Sequence, residues 1–337
     1  MNIIAAILVF GIIIFIHELG HFYFAKRAGV TIHEFAIGMG PTLFKKEKNG
    51  TVYSIRALPI GGFVAMEGED EESDDPNSFG KKTLKERFLS IVAGPLANIV
   101  LCVLLLIPFY AVVGFPTTTL DIVQKNSPAY SAGLQSGDKL ISIDGNSLES
   151  FNDVSKLISG SDGKELTIQY KRGSEDKSTT VIPEKSAGKY VIGINPKYKT
   201  DLLQAPKQAI VSTYQISKTM LIFLGQLVTG QLSGKIMDSL SGPVGVVNMV
   251  SKAATTGILD LVFMTALISL NIGIMNLLPI PALDGWRIIM LIFEGLRGGK
   301  KVPAKIEGYI NGIGLIALMG FMLFITYKDI VRLFFRN

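Results

Sequence analysis

The sequence predicts an α-helical polytopic membrane protein with about four transmembrane helices and a small α/β domain inserted among them. Four runs almost free of charge are long enough to cross a hydrocarbon core of about 30 Å at about 1.5 Å per residue. Basic residues crowd the segments that join particular pairs of these runs. One long intervening stretch has the short alternating runs and turn residues of a soluble fold. Composition agrees: 48% of the 337 residues are hydrophobic, too apolar a balance for an ordinary soluble domain.

The first run, Ile3 to Ala25, carries no Asp, Glu, Lys or Arg except Glu18. It is read as a span and not as a cleaved leader, because no basic segment precedes it and no small-residue cleavage site follows it. Phe88 to Val113, Leu261 to Leu283 and the shorter Ile310 to Tyr327 are the other three spans. The segment between the first two spans holds Lys26, Arg27, Lys45, Lys46, Lys48, Arg56, Lys81, Lys82, Lys85 and Arg87; the loop after the third holds Arg287, Arg297, Lys300, Lys301 and Lys305. Both segments therefore read as cytoplasmic, which places both termini and the stretch from Gly114 to about Asp260 outside the cell. The expected organisation is an N-terminal membrane part over 1–113, an extracytoplasmic α/β domain over 114–205, an interfacial amphipathic region over 206–260, and a C-terminal membrane part over 261–337.

The net charge of +5 sits beside apolar segments, which points to membrane lipid as the surroundings and argues against nucleic acid as a partner. Cys102 is the only cysteine and lies inside a span, so neither disulfides nor a thiolate zinc site is available. The acidic stretch Glu67 to Asp75 reads as a solvated loop. Thr219 to Leu232 is apolar but short, and is expected on the outer surface, not across the membrane.

Within the inserted domain, Leu166 to Tyr170 and Val191 to Ile194 are expected strands. The run Ser127-Pro-Ala-Tyr-Ser-Ala-Gly-Leu-Gln-Ser-Gly-Asp-Lys-Leu-Ile-Ser-Ile-Asp-Gly145 combines a helix start after Pro128, an Ala-Gly helix end and a Gly-Asp turn feeding a strand that stops at Asp144-Gly145. It closely resembles the PDZ domains of bacterial proteases.

The chemistry is concentrated in His17-Glu18-Leu19-Gly20-His21, an HExxH pattern inside the first span. At i and i+4 on a helix both imidazoles face one side and can reach a single Zn2+, while the glutamate lies close enough to take a proton from the water the metal activates. Two histidines and a glutamate in an apolar span cost several kcal/mol without partners, so their depth itself argues for a functional cluster. A catalytic zinc normally has three protein ligands and one open position. His33 lies past the basic helix end and outside the metzincin spacing, and is assigned to a solvated or loop-packing role. The third candidate is Asp284, where Pro279 and Pro281 break the third span and let a carboxylate turn inward at the depth of HELGH.

HELGH, Ala93-Gly-Pro-Leu-Ala-Asn98 and Asn271-Ile-Gly-Ile-Met-Asn-Leu-Leu-Pro-Ile-Pro-Ala-Leu-Asp-Gly285, in that order in three spans, resemble the site-2 protease family of intramembrane metalloproteases. The similarity is to the bacterial branch with a PDZ domain, typified by the regulator-of-sigma-E protease. The resemblance implies His17, His21 and Asp284 as zinc ligands, Glu18 as general base, and Asn271 and Asn276 as contacts to the substrate backbone. Asn98 is a further candidate for substrate binding, or else an interhelical hydrogen-bonding group. It also implies substrates that are single-span membrane proteins, such as trimmed anti-sigma factors and remnant signal peptides, and a bacterial plasma-membrane location. No oligomeric state follows from it. Gly38-Met-Gly-Pro41 and Pro59-Ile-Gly-Gly-Phe63 resemble the family's membrane-associated β-hairpin and re-entrant elements, whose edges can pair with an extended substrate. The sequence departs from the family where Trp286 replaces the second glycine after the aspartate, and in having one PDZ-like domain.

Two other readings compete. A membrane-anchored PDZ peptide-binding protein would not need Glu18. A metal transporter would need ligands along a path, whereas the polar residues gather at one depth.

Overall fold

The computed structural model describes residues 3–69, 71, 73–186, 188–231 and 241–335. Asp70 and Glu72 of the acidic stretch, and Leu232, lie outside the described residues. Contacts divide the chain into two units, one of Met1–Leu106 with Ala209–Asn337 and one of Ile107–Gln208.

In the first unit the elements are α1 (Ile3–Arg27), β1 (Ile32–Lys48), β2 (Thr51–Met66), most of α2 (Leu84–Val113), most of α5 (Ala205–Val228), α6 (Pro243–Thr256), α7 (Ile258–Asn276), α8 (Asp284–Leu296) and α9 (Ala304–Phe335). Among the described residues, four helices are long and apolar enough to cross a membrane: α1, α2, α7 and the Lys305–Arg332 part of α9. The chain is thus a multi-pass membrane protein. The third span is shorter than its apolar run, because α7 ends at Asn276 ahead of Pro279, whose ring cannot continue a helix. The chain turns through Ala282, at φ +75°, and α8 starts at Asp284. Helix α5 is not among the four, and Ala209 and Thr213 on its first half are buried, with Thr213 Oγ1 3.6 Å from Cys102 Sγ on α2.

Strands β1 and β2 form a two-stranded sheet that folds back on itself. Glu34 to Ile37 lie beside Val52 to Ile55 on one flank and beside Gly62 to Ala65 on the other. The fold needs glycine: Gly38 at φ +86° approaches the Leu58 carbonyl too closely for a Cβ, and Gly61 sits at φ +79°. Phe35 and Tyr53 of the sheet meet Phe22 of α1 edge-on at 5.2 and 5.9 Å between centroids, and Phe15 meets Phe35 at 5.9 Å. These contacts bracket the HExxH turn and fix the sheet against it.

A buried ion pair, Arg87 Nη2 to Glu294 Oε1 at 2.5 Å, ties the first turn of α2 to the last turn of α8. Replacing Arg87 by Met strands a buried carboxylate. The expected cost is about 3–5 kcal/mol, read as a lowered thermal midpoint in detergent.

The second unit holds β3 (Phe115–Val123), α3 (Pro128–Ser131), β4 (Lys139–Ile143), β5 (Asn146–Ser147), α4 (Phe151–Ser159), β6 (Leu166–Arg172), β7 (Glu175–Val181), β8 (Glu184–Ser186), β9 (Lys189–Val191) and β10 (Ile194–Lys199). Its main sheet runs β10-β3-β4-β6-β7, with β5 on β4, around a core that includes Leu120, Leu140, Ile143, Val154, Ile168 and Ile192. The motif folds as its residues dictate. The Ser127 hydroxyl accepts from Tyr130 N at the start of α3, and Gly133 leaves that helix at φ +80°. Asp144 and Gly145, both at positive φ, turn β4 into β5. The expected strand Val191 to Ile194 is interrupted: Gly193, at φ +78°, separates β9 from β10.

Candidate metal centre

The centre is assembled by the close approach of three helices. His17 and His21 lie one turn apart on α1, 9% and 8% exposed, with ring centroids 4.8 Å apart. The α1 and α2 backbones touch here because neither has a side chain in the way. A Cβ on Gly20 would strike the Ala93 carbonyl, and one on Gly94 would strike the His21 ring at Nε2. From the other side, Gly285 packs against the Leu277 and Leu278 carbonyls, which holds the first turn of α8 tightly against the end of α7 and brings Asp284 inward.

The outcome is a triangle of donor atoms. His17 Nε2 is 3.2 Å from His21 Nε2 and 3.1 Å from Asp284 Oδ2, and His21 Nε2 is 3.4 Å from the same oxygen. A tetrahedral zinc with bonds of about 2.0–2.1 Å requires donors about 3.3 Å apart. The three edges match one face of that tetrahedron, and Asp284 Oδ2 is buried with no hydrogen-bond partner among the described residues. The donors present therefore fit zinc and leave the fourth position open. Behind them, His21 Nδ1 donates to the Ser90 carbonyl of α2 at 2.9 Å, and this leaves the Nε2 lone pair for the metal.

A cavity of about 1020 Å³ opens onto this face. Its lining includes Glu18, Asn276, Arg287 and the sheet segment Gly62 to Met66. Gly62 lies so close that a Cβ there would meet Glu18 Cγ at 3.0 Å. Arg287 pairs with Glu69, joining α8 to the acidic stretch, and Glu67 bonds both Ser73 and His33, the latter at 2.6 Å. The Ser73 hydroxyl first, then His33, hold the Glu67 carboxyl below the usual range. His33 is thereby a partner of the loop and stands outside the donor triangle.

The asparagine expectations divide. Asn276 lines the cavity. Asn271 is exposed on the other side of α7 and does not line it, since positions 271 and 276 are about 140° apart around a helix. Asn98 is 0% exposed, with its amide against His17 Nδ1 at 3.2 Å, and does not line the cavity; this is the interhelical contact that the sequence left open beside substrate binding. Trp286 does not stand in the cavity wall, although its neighbours Asp284 and Arg287 do. Sequence reasoning quoted Gly94 and Gly62 within their motifs without giving either glycine a role of its own, and passed over Ser90.

The profile of peptidase family M50 matches residues 5–321. The chain belongs to this family. A relative from Clostridium acetobutylicum is 39% identical over 98% of this chain and 97% of its own. The zinc metalloprotease RasP of Geobacillus kaustophilus is 34% identical over 99% and 98%, and the regulator of sigma-W protease RasP of Bacillus subtilis is 33% identical over 99% of both. The solved PDZ domain of an SdrC-like protein from Listeria monocytogenes is similar at 25% identity over 25% of this chain and 90% of its own, with a TM-score of 0.22. As an M50 peptidase of the site-2 protease type, the protein is an intramembrane zinc metalloendopeptidase with Zn2+ as its cofactor.

Proposed function

We propose that this M50 peptidase cleaves the transmembrane segments of single-span membrane proteins, anti-sigma factors after a first cut and remnant signal peptides among them. His17, His21 and Asp284 hold the zinc, and Glu18 is the general base. The observation that carries the assignment is the donor triangle, formed at membrane depth by residues from α1 and the start of α8. The sigma-W regulator among the relatives supports anti-sigma substrates.

Zinc bound to these donors would lower the pKa of a water molecule and polarise the scissile carbonyl. The chain's own groups do the remaining work. Glu18, beside the donors and facing the cavity, accepts the water's proton and returns it to the leaving amine. The segment Gly62 to Met66 offers backbone to an unwound stretch of substrate, which a helical segment must become before its carbonyl can be attacked. Asn276 holds an amide group freed by that unwinding. The basic segments between α1 and α2 and after α8 face the cytoplasm, and both termini and the PDZ-like domain lie outside, where a trimmed stump approaches.

The test is cleavage of a single-span substrate in detergent by the purified protein. Cleavage should stop on chelation and return with zinc, and Asp284→Ala should bind no zinc. Full cleavage by a chelated sample, or by Asp284→Ala, would overturn the assignment.

A further inference from the structure

Both histidines of the donor triangle have their second ring nitrogen facing α2, but the two are held differently. His21 uses the backbone carbonyl of Ser90. Among the described residues His17 Nδ1 has only the side chain of Asn98, at 3.2 Å, and that residue is fully buried. Asn98 is itself fixed from behind. The Ser269 hydroxyl of α7 donates to its backbone carbonyl at 2.8 Å. Gly273 of α7 lies so close that a Cβ there would be 2.8 Å from the Pro95 carbonyl and 3.2 Å from Asn98 Cβ. Helix α7 therefore presses α2 forward at the position from which the amide reaches α1.

A histidine that ligates zinc through Nε2 must carry its proton on Nδ1, and that proton needs an acceptor. The two ends of an asparagine amide are assigned from their hydrogen bonds. As placed, Nδ2 faces His17 while Oδ1 is buried with no partner among the described residues. A half-turn of the amide brings Oδ1 to Nδ1 and gives that oxygen its bond. Only in that orientation does His17 present a lone pair at Nε2, toward His21 and Asp284.

We propose that Asn98 is a positioning residue of the metal centre: its side-chain oxygen accepts the Nδ1 proton of His17, which sets the tautomer and the ring angle that zinc requires. The proposal rests on His17 being a zinc ligand. It places no contact between Asn98 and the substrate.

Zinc per chain, and zinc affinity by chelator competition, separate this role from packing. Asn98→Leu keeps the branched heavy-atom outline of the side chain, with bulkier methyl groups, and removes the acceptor, and should weaken zinc binding about 10–100-fold. Asn98→Asp restores an acceptor oxygen and should bind zinc like the wild type. A buried amide that served only to pack helices predicts the reverse order, with leucine retaining zinc and the buried carboxylate losing it, and that order would overturn the proposal. His17→Ala is the control for the underlying assignment: if it binds zinc normally, His17 is not a ligand and the parent reading fails on its own. Should Asn98→Leu not fold, the nitrogen-15 shifts of the zinc-loaded wild type decide, since the chain has 3 histidines to assign. A proton on His17 Nδ1 upholds the proposal; a proton on Nε2 ends it.

Discussion

Gly94→Ala is expected to lose zinc and cleavage together, although the added methyl group is smaller than any side chain around it. Gly94 lies where α2 crosses the HExxH turn, and a Cβ built on it falls on the Nε2, Cε1 and Cδ2 atoms of His21. The ring cannot yield freely. Its Nδ1 is tied to Ser90 on the same helix, and the α1 backbone is pinned by Gly20 against Ala93. The methyl group must therefore rotate the ring out of the donor triangle or push α1 and α2 apart, at an overpacking cost of about 1–3 kcal/mol. Either movement displaces a donor by the order of an ångström, enough for a loss of about 100-fold or more in rate. Gly11→Ala, on the same helix as His21 with nothing within 4 Å of the new Cβ, should bind zinc and cleave like the wild type. Zinc per chain and cleavage rate, measured on both variants, decide the matter. A Gly94→Ala protein with full zinc would show that His21 does not occupy the position described.

These same residues show what the sequence could and could not convey. HExxH and the proline-broken Asp284 segment were legible because their logic is local: a helical period brings two histidines to one face, and a proline must end a helix. The PDZ-like run was legible for the same reason, since caps and positive-φ turns are written in consecutive residues. Val191 to Ile194 misled because apolar character outweighed Gly193, whose backbone breaks the strand. Asn98 was legible only as a choice between two roles. An amide inside a span announces that it has a partner, but which partner is a matter of helix packing, and α7 on one side and α1 on the other decide it. Arg87 read as one more cytoplasmic cation, yet it is committed to Glu294, far along the chain. The folding of β1 and β2 into a wall of the cavity likewise depends on aromatic contacts with α1 that no local pattern contains.

Glu18→Gln should separate binding from chemistry. The side chain is not part of the donor triangle, and the amide has nearly the shape of the carboxylate, so zinc content and affinity should equal those of the wild type. Cleavage should fall by about 100- to 10,000-fold, because glutamine cannot accept a proton from water and the general base is worth that much. The carboxylates nearest in the site are engaged, while Glu71 and Asp74 also line the cavity. Asp284 directs its buried oxygen at the donors, Glu69 is paired with Arg287, and Glu67 is engaged by Ser73 and His33, so among the described residues these neighbouring carboxylates are already committed. Gly62 packs on the Glu18 stem, so the variant side chain is held in the same place and cannot swing away to admit a second water. A shortened Glu18→Asp should recover part of the rate, since it restores the base but withdraws it from the water by about one methylene. Normal cleavage by the glutamine variant would remove Glu18 from the mechanism; loss of zinc would make it a structural member of the site, with the base to be sought elsewhere on the cavity wall.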